Sequence, residues 1–284
     1  MTERTFRFGV VTGLARTAEE WVSTARRAED LGYDTLLLPD TRNTLAPFPA
    51  LAAAAAATRT LHVGTYVLSA PNRTPGLVAW EAQTLRFLTG GRFELGVGAG
   101  RPGADRDAAQ FGVAFGSPGD RLRRVADTIR AAREARPVGP DDLPAMPILI
   151  AASRPRMLRL AAEHADIVAL GLPADTAEDG LARTVATLRE LAGRRIDELE
   201  LHLNVAAVAP AAEAIPAWTS RMMGGGDPRA MAAAGGIAFL LGTPDEIADK
   251  LRRRRDELGI SYIGVSGAFM DAFAPVIALL RSDG

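Results

Sequence analysis

The sequence predicts an α/β protein with the architecture of a TIM (β/α)8 barrel. Short apolar runs typical of buried strands alternate with helical patterns along the whole chain. Strands that alternate with helices form parallel sheets through right-handed crossovers, and eight such units close into a barrel. The length of 284 residues lies within the range of one-domain barrels, so we expect a single domain over residues 1–284.

The first half of the chain contains four strand–helix units. Its first helix has both end signals, because Thr17 and Glu20 form a capping box and Gly32 stops the helix. Ser117 is an N-cap followed by Pro118, which suits a first helical turn. In chain order the predicted strands and helices are Phe6–Val11, Ala18–Leu31, Asp34–Pro39, Phe48–Thr58, Leu61–Leu68, Pro75–Leu88, Arg92–Val97 and Ser117 to about Ala135.

The second half repeats the alternation four more times. Thr243, Pro244 and Glu246 give the penultimate helix an N-cap, a first-turn proline and a capping box, and Gly259 ends it. The predicted strands and helices are Pro147–Ala151, Pro155–His164, Asp166–Leu170, Glu178–Ala192, Leu199–Ala206, Thr243–Gly259, Ser261–Val265 and Ala272–Leu280.

One loop-rich stretch, roughly residues 210–236, interrupts the alternation before the seventh helix. It contains the run Met222-Met223-Gly-Gly-Gly226, which is typical of a mobile segment. We interpret this insertion either as a lid over the active site or as a surface excursion without a role.

Composition and charge exclude several classes of function. The net charge of −1 offers no basic surface for nucleic acid or for an anionic membrane. The chain has no cysteine, which excludes disulfides, thiolate metal sites and cysteine nucleophiles. No apolar run has the length of a membrane span, and the start MTERTFRFGVV lacks a signal-peptide pattern. We therefore expect a cytoplasmic protein without nucleic-acid or membrane partners.

The segment ELGVGAGRPG at residues 94–103 contains the G-x-G-x-x-G pattern of dinucleotide-binding turns. That pattern belongs at a first strand–helix turn, whereas these glycines follow the fourth predicted strand and precede a loop of about fourteen residues. Gly96, Gly98 and Gly100 are spaced by two, so they lie on one face of a strand end. We predict that the missing Cβ atoms let a flat ligand approach the backbone. The alternative is that these glycines only relax the backbone at a corner of the barrel.

The three histidines do not point to a histidine-based site. His62 starts a strand and His164 precedes one, so both belong at the bottom of the barrel, away from the carboxyl-end active site. His202 lies mid-strand and alternates with apolar residues, as do Glu200 and Asn204. This polar face either lines the barrel beneath a ligand or holds a satisfied core histidine. A catalytic triad, a zinc site or any other metal site is not expected.

The carboxyl rim contains the candidate functional residues. Asp40 and Thr41 follow the second strand, and Arg101 follows the fourth. The run Ser153–Arg156 opens a helix whose free N–H groups and guanidinium groups suit a phosphate. The alternatives are a solvent-facing acid at Asp40 and a helix start with exposed arginines.

Several stretches together resemble the luciferase-like superfamily of flavin and deazaflavin oxidoreductases, which includes bacterial luciferase and coenzyme-F420-dependent enzymes. The resemblance is closest to the F420-dependent branch and spans nearly the whole chain. The matching stretches are AEDLGYDTLLLPD at 28–40, HVGTYVLSAPNRTP at 62–75, LTGGRFELGVGAG at 88–100, ILIAASRPRMLRLAAEHADIV at 148–168 and GTPDEIADKLRRRRDELGISYIGVSG at 242–267.

The resemblance implies a TIM barrel and a set of cofactor contacts. The run 98–100 lets the ring approach the backbone, and a cis peptide bond between Tyr66 and Val67 bulges against the ring. The run 151–155 binds the cofactor phosphate. The implied cofactor-binding residues are Asp40, Tyr66, Val67, Gly98, Ala99, Gly100, Ala151, Ala152, Ser153 and Arg154.

Departures from the family pattern concern the chemistry. Thr41 stands where relatives often have histidine, Arg101 stands where some dehydrogenases have glutamate, and Ser153-Arg154 replace two glycines. The proton donor is thus left open, and the candidate catalytic residues are Asp40, Thr41 and Arg101.

The resemblance implies an oxidoreductase that passes a hydride between C5 of F420 and a small organic substrate. An FMN-dependent luciferase-like monooxygenase is the first alternative. The second alternative is a non-catalytic barrel that binds a flavin without turnover. A homodimer is expected from the resemblance alone.

Overall fold

The computed structural model describes residues 4–140, 142–223 and 225–282. Its centre is a closed parallel barrel, which confirms the predicted fold class. Strand β1 pairs with β2 and with the last strand, while β3 and β4 both pair with β5 and form one interrupted stave. The strands are β1 Arg7–Val11, β2 Thr35–Leu38, β3 His62–Thr65, β4 Leu68–Ser69, β5 Phe93–Gly98, β6 Ile148–Ala152, β7 Ile167–Leu170, β8 Glu200–Val205, β9 Ala207–Ala209, β10 Phe239–Leu241 and β11 Ile260–Ser266.

Three of the predicted helices begin at the side chains that were expected to cap them. Thr17 accepts a hydrogen bond from the Glu20 amide, and Ser117 and Thr243 each form a complete capping box. None of the helices in the described ranges is long and apolar enough to cross a membrane. The helices are α1 Ala18–Asp30, α2 Pro47–Ala56, α3 Pro75–Leu88, α4 Ala104–Gln110, α5 Pro118–Glu134, α6 Pro155–His164, α7 Glu178–Ala192, α8 Thr219–Met222, α9 Pro228–Ala233, α10 Pro244–Leu258 and α11 Met270–Arg281.

Three segments differ from the sequence-based prediction. The predicted strand 61–68 is broken between β3 and β4, and the predicted loop after β5 contains α4. Beyond β8 the chain continues as β9, which pairs in parallel with β10 in a separate two-stranded sheet that was not predicted.

The predicted insertion, residues 210–236, lies between β9 and β10 and contains the short helices α8 and α9. Arg254 of α10 donates hydrogen bonds to the Ile237 carbonyl and to Glu178, so the end of this segment is tied to the barrel helices. Gly224 lies outside the described residues. The lid remains a prediction.

Two apolar clusters follow from the alternation of side chains along the strands. Outward-facing residues such as Phe8 and Val97 join the helices in the larger cluster. Inward-facing residues form a second cluster inside the barrel, namely Leu37, Leu149, Ile167, Ala169 and Tyr262.

The lower barrel interior is closed by an ionic group. Arg7 donates hydrogen bonds to Glu94 and to Glu200, and the Tyr262 hydroxyl donates to Glu94 at 2.7 Å. The Glu94 side chain is only 1% exposed. We call Arg7, Glu94, Glu200 and Tyr262 the ionic plug, and its polar groups find their partners within the barrel.

Candidate active site

The carboxyl ends of the strands surround a mouth with a mainly apolar lining. Val11, Tyr66, Val67 and Ala151 are each half-buried and pack on the inner cluster. In barrels of this class the loops at this face carry the chemistry.

A column of rings fills the barrel axis beneath the mouth. Tyr66 reaches across from β3, and its hydroxyl lies 3.3 Å from Nδ1 of His202 on β8. The His202 ring meets the Tyr262 ring edge-on with centroids 4.6 Å apart, and the Arg7 guanidinium lies 4.2 Å from the Tyr262 ring centroid. We call Tyr66, His202, Tyr262 and Arg7 the axial column; it forms the floor of the mouth.

His202 therefore lines the barrel interior, as one sequence-based interpretation held, but its two nitrogens differ. Nδ1 has Tyr66 as partner, whereas Nε2 is buried without one. Burial, reinforced by the nearby positive charge of Arg7, lowers the pKa of His202 to about 3. The imidazole is thus neutral at physiological pH. Burial also raises the pKa of Tyr66.

The low pKa of His202 predicts acid-sensitive stability. In the unfolded chain the His202 imidazole takes up a proton near pH 6.5, whereas in the folded chain it does so only near pH 3. Its contribution to the free energy of unfolding is therefore full above pH 6.5 and is lost as pH falls. Between pH 7 and pH 5, wild type is expected to lose about 2 kcal/mol more unfolding free energy than His202→Gln.

Urea unfolding at the two pH values measures this difference. His164→Gln is the matched control, because His164 is exposed, and it is expected to keep the wild-type pH dependence. Equal pH dependence in wild type and His202→Gln would contradict the neutral buried state.

The wall formed by β3, β4 and β5 contains the predicted cis peptide bond between Tyr66 and Val67, which is confirmed. The reason for the neighbouring glycines is different from the one expected. A Cβ on Gly98 would lie 2.7 Å from Val67 Cγ2, and a Cβ on Gly96 would lie 1.9 Å from the Thr65 carbonyl oxygen. The space that these glycines leave is thus filled by the chain's own bulge, and Val67 forms the surface that faces the mouth.

The rest of the glycine run shapes the rim. Gly100 has a φ of +89°, and a Cβ there would lie 2.8 Å from the Phe115 ring. Ala99 is half-buried against the outer core. The Ser69 hydroxyl lies beside Gly100, is buried and has no hydrogen-bond partner among the described residues.

Asp40 is held in an ion pair rather than left free at the rim. Its carboxylate accepts two hydrogen bonds from Arg73, at 2.9 and 2.8 Å, and one from the Ser69 amide at 3.0 Å. The Asp40 side chain is only 8% exposed. This arrangement anchors the end of β2 to β4, so Asp40 positions the Ser69 side of the mouth.

The other two candidate catalytic residues also have intramolecular partners. The Thr41 hydroxyl lies 3.4 Å from that of Thr44. Arg101 binds Asp107 at 2.7 Å and remains 42% exposed. Catalytic roles for Asp40, Thr41 and Arg101 stay predictions.

The turn from β6 to α6 has the features of an anion site. Ala151 and Ala152 end β6, Ser153 follows, and Arg154 is the N-cap of α6, with no side chain capping the first turn. Arg154 and Arg156 are exposed and form no ion pair within the described part of the chain. Unsatisfied N–H groups at a helix start, with two guanidinium groups beside them, favour a phosphate.

Sequence reasoning missed the buried polar atoms that lack partners in the mouth. Besides Ser69 these belong to Asn204 on β8 and Ser266 on β11. The alternation of polar and apolar residues along β8 indicated that Asn204 faces the barrel interior, but no sequence pattern indicated a role for Ser69 or Ser266. Over the described ranges, no three acidic, histidine or cysteine side chains lie close enough together to hold a metal ion.

Sequence comparison finds relatives among oxidoreductases. The chain is 32% identical over 155 residues to 5,10-methylenetetrahydromethanopterin reductase of Archaeoglobus fulgidus, which covers 49% of this chain and 45% of that protein. It is 28% identical over 234 residues to F420-dependent glucose-6-phosphate dehydrogenase of Nakamurella multipartita, covering 70% of this chain and 67% of the relative. The chain thus spans less than half of the archaeal reductase.

A third relative is a monooxygenase. The chain is 43% identical over 79 residues to 4-hydroxyprotoasukamycin monooxygenase of Streptomyces nodosus, covering 28% of this chain and 20% of that protein. All three relatives are named as enzymes, which disfavours the non-catalytic alternative.

Structural comparison supports the fold over the full length. The coenzyme-F420-dependent tetrahydromethanopterin reductase of Methanopyrus kandleri superposes with a TM-score of 0.72 at 18% identity, covering 96% of this chain and 97% of the other. A monooxygenase of Streptomyces bottropensis superposes with a TM-score of 0.69 at 18% identity, covering 97% and 99%.

The sequence model of the luciferase-like monooxygenase family matches residues 5–262, which is most of the barrel. The chain therefore belongs to the luciferase-like monooxygenase family and is an enzyme of the oxidoreductase class.

Proposed function

We propose that the protein is an F420-dependent oxidoreductase that transfers a hydride between the deazaflavin and a small organic substrate. The proposal rests on one observation: the carboxyl rim of the barrel combines an apolar surface, a buried hydroxyl without a partner and an uncapped helix start. Val67 and Ala151 supply the surface, Ser69 the hydroxyl, and α6 the helix start.

The residues present fit a flavin-type cofactor. Val67 and Ala151 offer half-buried apolar area to a flat ring, while the Ser69 hydroxyl is available to a polar ring edge. Ser153, Arg154 and the first turn of α6 would hold the phosphate. When bound, the deazaflavin supplies a two-electron hydride carrier.

The chain's own contribution is binding, orientation and exclusion of water. The axial column closes the barrel from below, and Asp40 fixes the Ser69 side of the mouth through Arg73. A fixed floor and wall hold two reactants in one orientation, which is a large part of catalysis in hydride transfer.

F420 is preferred over FMN because F420 appears in the names of the dehydrogenase relative and of the methanopyrus reductase. FMN-dependent monooxygenation remains the second candidate, since one relative and one superposed structure are monooxygenases.

Titration of the purified protein with F420 and, separately, with FMN tests the proposal, with cofactor fluorescence as the signal. Saturable F420 binding and transfer of reducing equivalents from reduced F420 to an organic substrate are expected. Arg154→Glu with Arg156→Glu is expected to weaken F420 binding by about tenfold or more. Arg59→Glu is the matched control, because Arg59 is exposed at the opposite face.

Exclusive FMN binding with oxygen consumption would overturn the F420 assignment in favour of the monooxygenase. Binding of neither cofactor would overturn both.

We also infer that the protein forms a homodimer through the outer face of α3. Four exposed apolar side chains lie within one stripe of this helix, namely Leu77, Trp80, Phe87 and Leu88, of which Trp80 is 67% exposed. Exposed apolar side chains grouped on one face of a helix are typical of an interface, and a two-fold axis would bring the same face of a second copy against it.

Trp80→Glu is therefore expected to convert a dimer into a monomer, because it places a charge in the centre of the stripe. Light scattering coupled to size-exclusion chromatography measures the mass. Trp218→Glu is the control, since Trp218 is exposed elsewhere and the dimer should persist. A wild-type monomer, or a dimer that survives Trp80→Glu, would contradict the assignment.

A further inference from the structure

The polar side chains without partners in the upper barrel are concentrated on two adjacent strands. His202 and Asn204 are successive inward-facing residues of β8, and Ser266 ends β11, which pairs with β8. Gly264 pairs with Asn204 and separates Ser266 from the ring column. We call His202, Asn204 and Ser266 the polar wall. The other side of the mouth has the apolar surface of Val67 and Ala151, with the Ser69 hydroxyl beside Gly100.

Each residue of the polar wall has an atom without a partner. His202 Nε2, Asn204 Oδ1 and Ser266 Oγ are buried and form no hydrogen bond within the described chain. His202 is 0% exposed and Ser266 is 4% exposed. Buried polar atoms in native proteins nearly always have partners, so three of them on one wall indicate a polar ligand group.

The chemistry of the wall indicates a neutral oxygen as that group. The Tyr66 hydroxyl and Nδ1 of the neutral His202 share one hydrogen bond, and Nε2 faces the wall as a donor or an acceptor according to which of the two partners donates. Asn204 and Ser266 lie nearer the mouth. The Asn204 amide nitrogen and the Ser266 hydroxyl can donate to a carbonyl or hydroxyl oxygen, and Asn204 Oδ1 can also accept from a hydroxyl. No member of the wall is charged.

Several charges beside the mouth are paired within the chain, whereas Arg42, on the loop after β2, lies over the Phe111 ring at 5.7 Å and away from the polar wall. Asp40 is paired with Arg73, and Arg101 with Asp107. Arg7, at the base of the axial column, is paired with Glu94 and Glu200. Arg154 and Arg156 lie at the α6 start, which the proposed function uses for the cofactor phosphate. A charged substrate group would therefore find no matching free charge at the polar wall.

The loops above the mouth carry several exposed apolar side chains. Four exposed large hydrophobic side chains follow carboxyl strand ends or lie in the insertion, namely Leu14, Phe111, Val113 and Trp218. Trp218 stacks on Phe269 with ring centroids 5.7 Å apart, which ties the insertion to the β11 end of the mouth. These side chains offer contact area to an apolar molecule.

We propose that the substrate is an uncharged, largely apolar molecule whose carbonyl or hydroxyl oxygen hydrogen-bonds to Asn204 and Ser266. This inference rests on the proposed function, because it identifies the polar wall as the substrate side of the mouth. Asn204 and Ser266 are then the residues that select the oxygen, and His202 positions them from below.

Equilibrium binding of three probes of similar size tests the proposal without turnover. The probes are cyclohexanone, methylenecyclohexane and cyclohexanecarboxylate, measured by saturation-transfer NMR on the protein alone and with oxidised F420, which cannot reduce the ketone. Cyclohexanone is expected to bind about fivefold more tightly than methylenecyclohexane, as one neutral hydrogen bond allows. The carboxylate is expected to bind most weakly.

Asn204→Leu and Ser266→Ala are each expected to lower the affinity for cyclohexanone about fivefold and to leave that for methylenecyclohexane unchanged. Ser261→Ala is the matched control, because Ser261 also has a buried hydroxyl without a partner but lies at the opposite end of β11. Unfolding midpoints confirm that each variant is folded. If one of the two variants fails to fold, the cyclohexanone affinity of the other still tests the proposal.

Equal affinities of the wild type for the ketone and the alkene would overturn the proposal. So would a ketone preference that persists in both variants, or tighter binding of the carboxylate. Failure of F420 to bind would refute the proposed function instead, and the probe measurements on the protein alone would still decide the role of the polar wall.

Discussion

Gly96→Ala is expected to destabilise the protein by about 3 kcal/mol or more and to abolish cofactor binding. The new Cβ would lie 1.9 Å from the Thr65 carbonyl oxygen. Thr65 cannot move aside, because its hydroxyl accepts from the Gly96 amide and donates to the Gly96 carbonyl, each at 2.8 Å. Relief requires the backbones of β3 and β5 to separate, directly below the Val67 surface.

Urea unfolding and F420 titration of the variant measure the two effects. Gly76→Ala is the matched control, since a Cβ on Gly76 meets nothing within 4 Å and the residue lies on an exposed helix turn. The control is expected to be neutral or slightly stabilising. A loss below about 1 kcal/mol for Gly96→Ala would show that this wall is not close-packed as described.

Removing the Glu94 carboxylate is expected to cost about 3–5 kcal/mol in unfolding free energy. Glu94→Ala leaves the Tyr262 hydroxyl without its acceptor and deprives Arg7 of one of two carboxylates inside the barrel. It also leaves a gap, because the Glu94 side chain fills the space over Gly64. The axial column above it would lose its support.

Chemical denaturation of Glu94→Ala checks this value. Asp127→Ala is the comparison, because it removes a carboxylate from an exposed ion pair with Arg130 and should change stability by less than about 1 kcal/mol. Similar costs for the two variants would contradict a buried ionic plug.

The fold was predictable because local signals agreed with the global pattern. Thr17, Ser117 and Thr243 cap the helices where their spacing predicts, and the apolar runs form the eight staves. The β9–β10 sheet was missed because Ala207–Ala209 continues an apolar run without a break. Helix α4 was missed because its short polar sequence follows a Gly- and Pro-rich loop.

The site was only partly predictable, because its contacts join residues that are distant in sequence. Nothing near Asp40 indicates that Arg73 neutralises it, and nothing near His202 identifies Tyr66, which lies 136 positions away, as its partner. The glycines of β5 were located correctly at the mouth. Their packing against Thr65 and Val67 depends on the neighbouring stave, which the sequence of β5 does not describe.

The mouth has two sides with different proposed roles. The β3–β6 side, with Val67, Ala151 and the α6 start, is proposed for the cofactor, and the β8–β11 side, with Asn204 and Ser266, for the substrate oxygen. The neutral His202 and the ionic plug hold both sides at a fixed depth.

A crystal structure of the protein with bound F420 would locate the cofactor. We expect the deazaflavin ring at the carboxyl mouth, in contact with Val67 and Ala151, and the phosphate at the first turn of α6. Density for the ring at the opposite end of the barrel, or a phosphate away from Ser153 and Arg154, would contradict this placement.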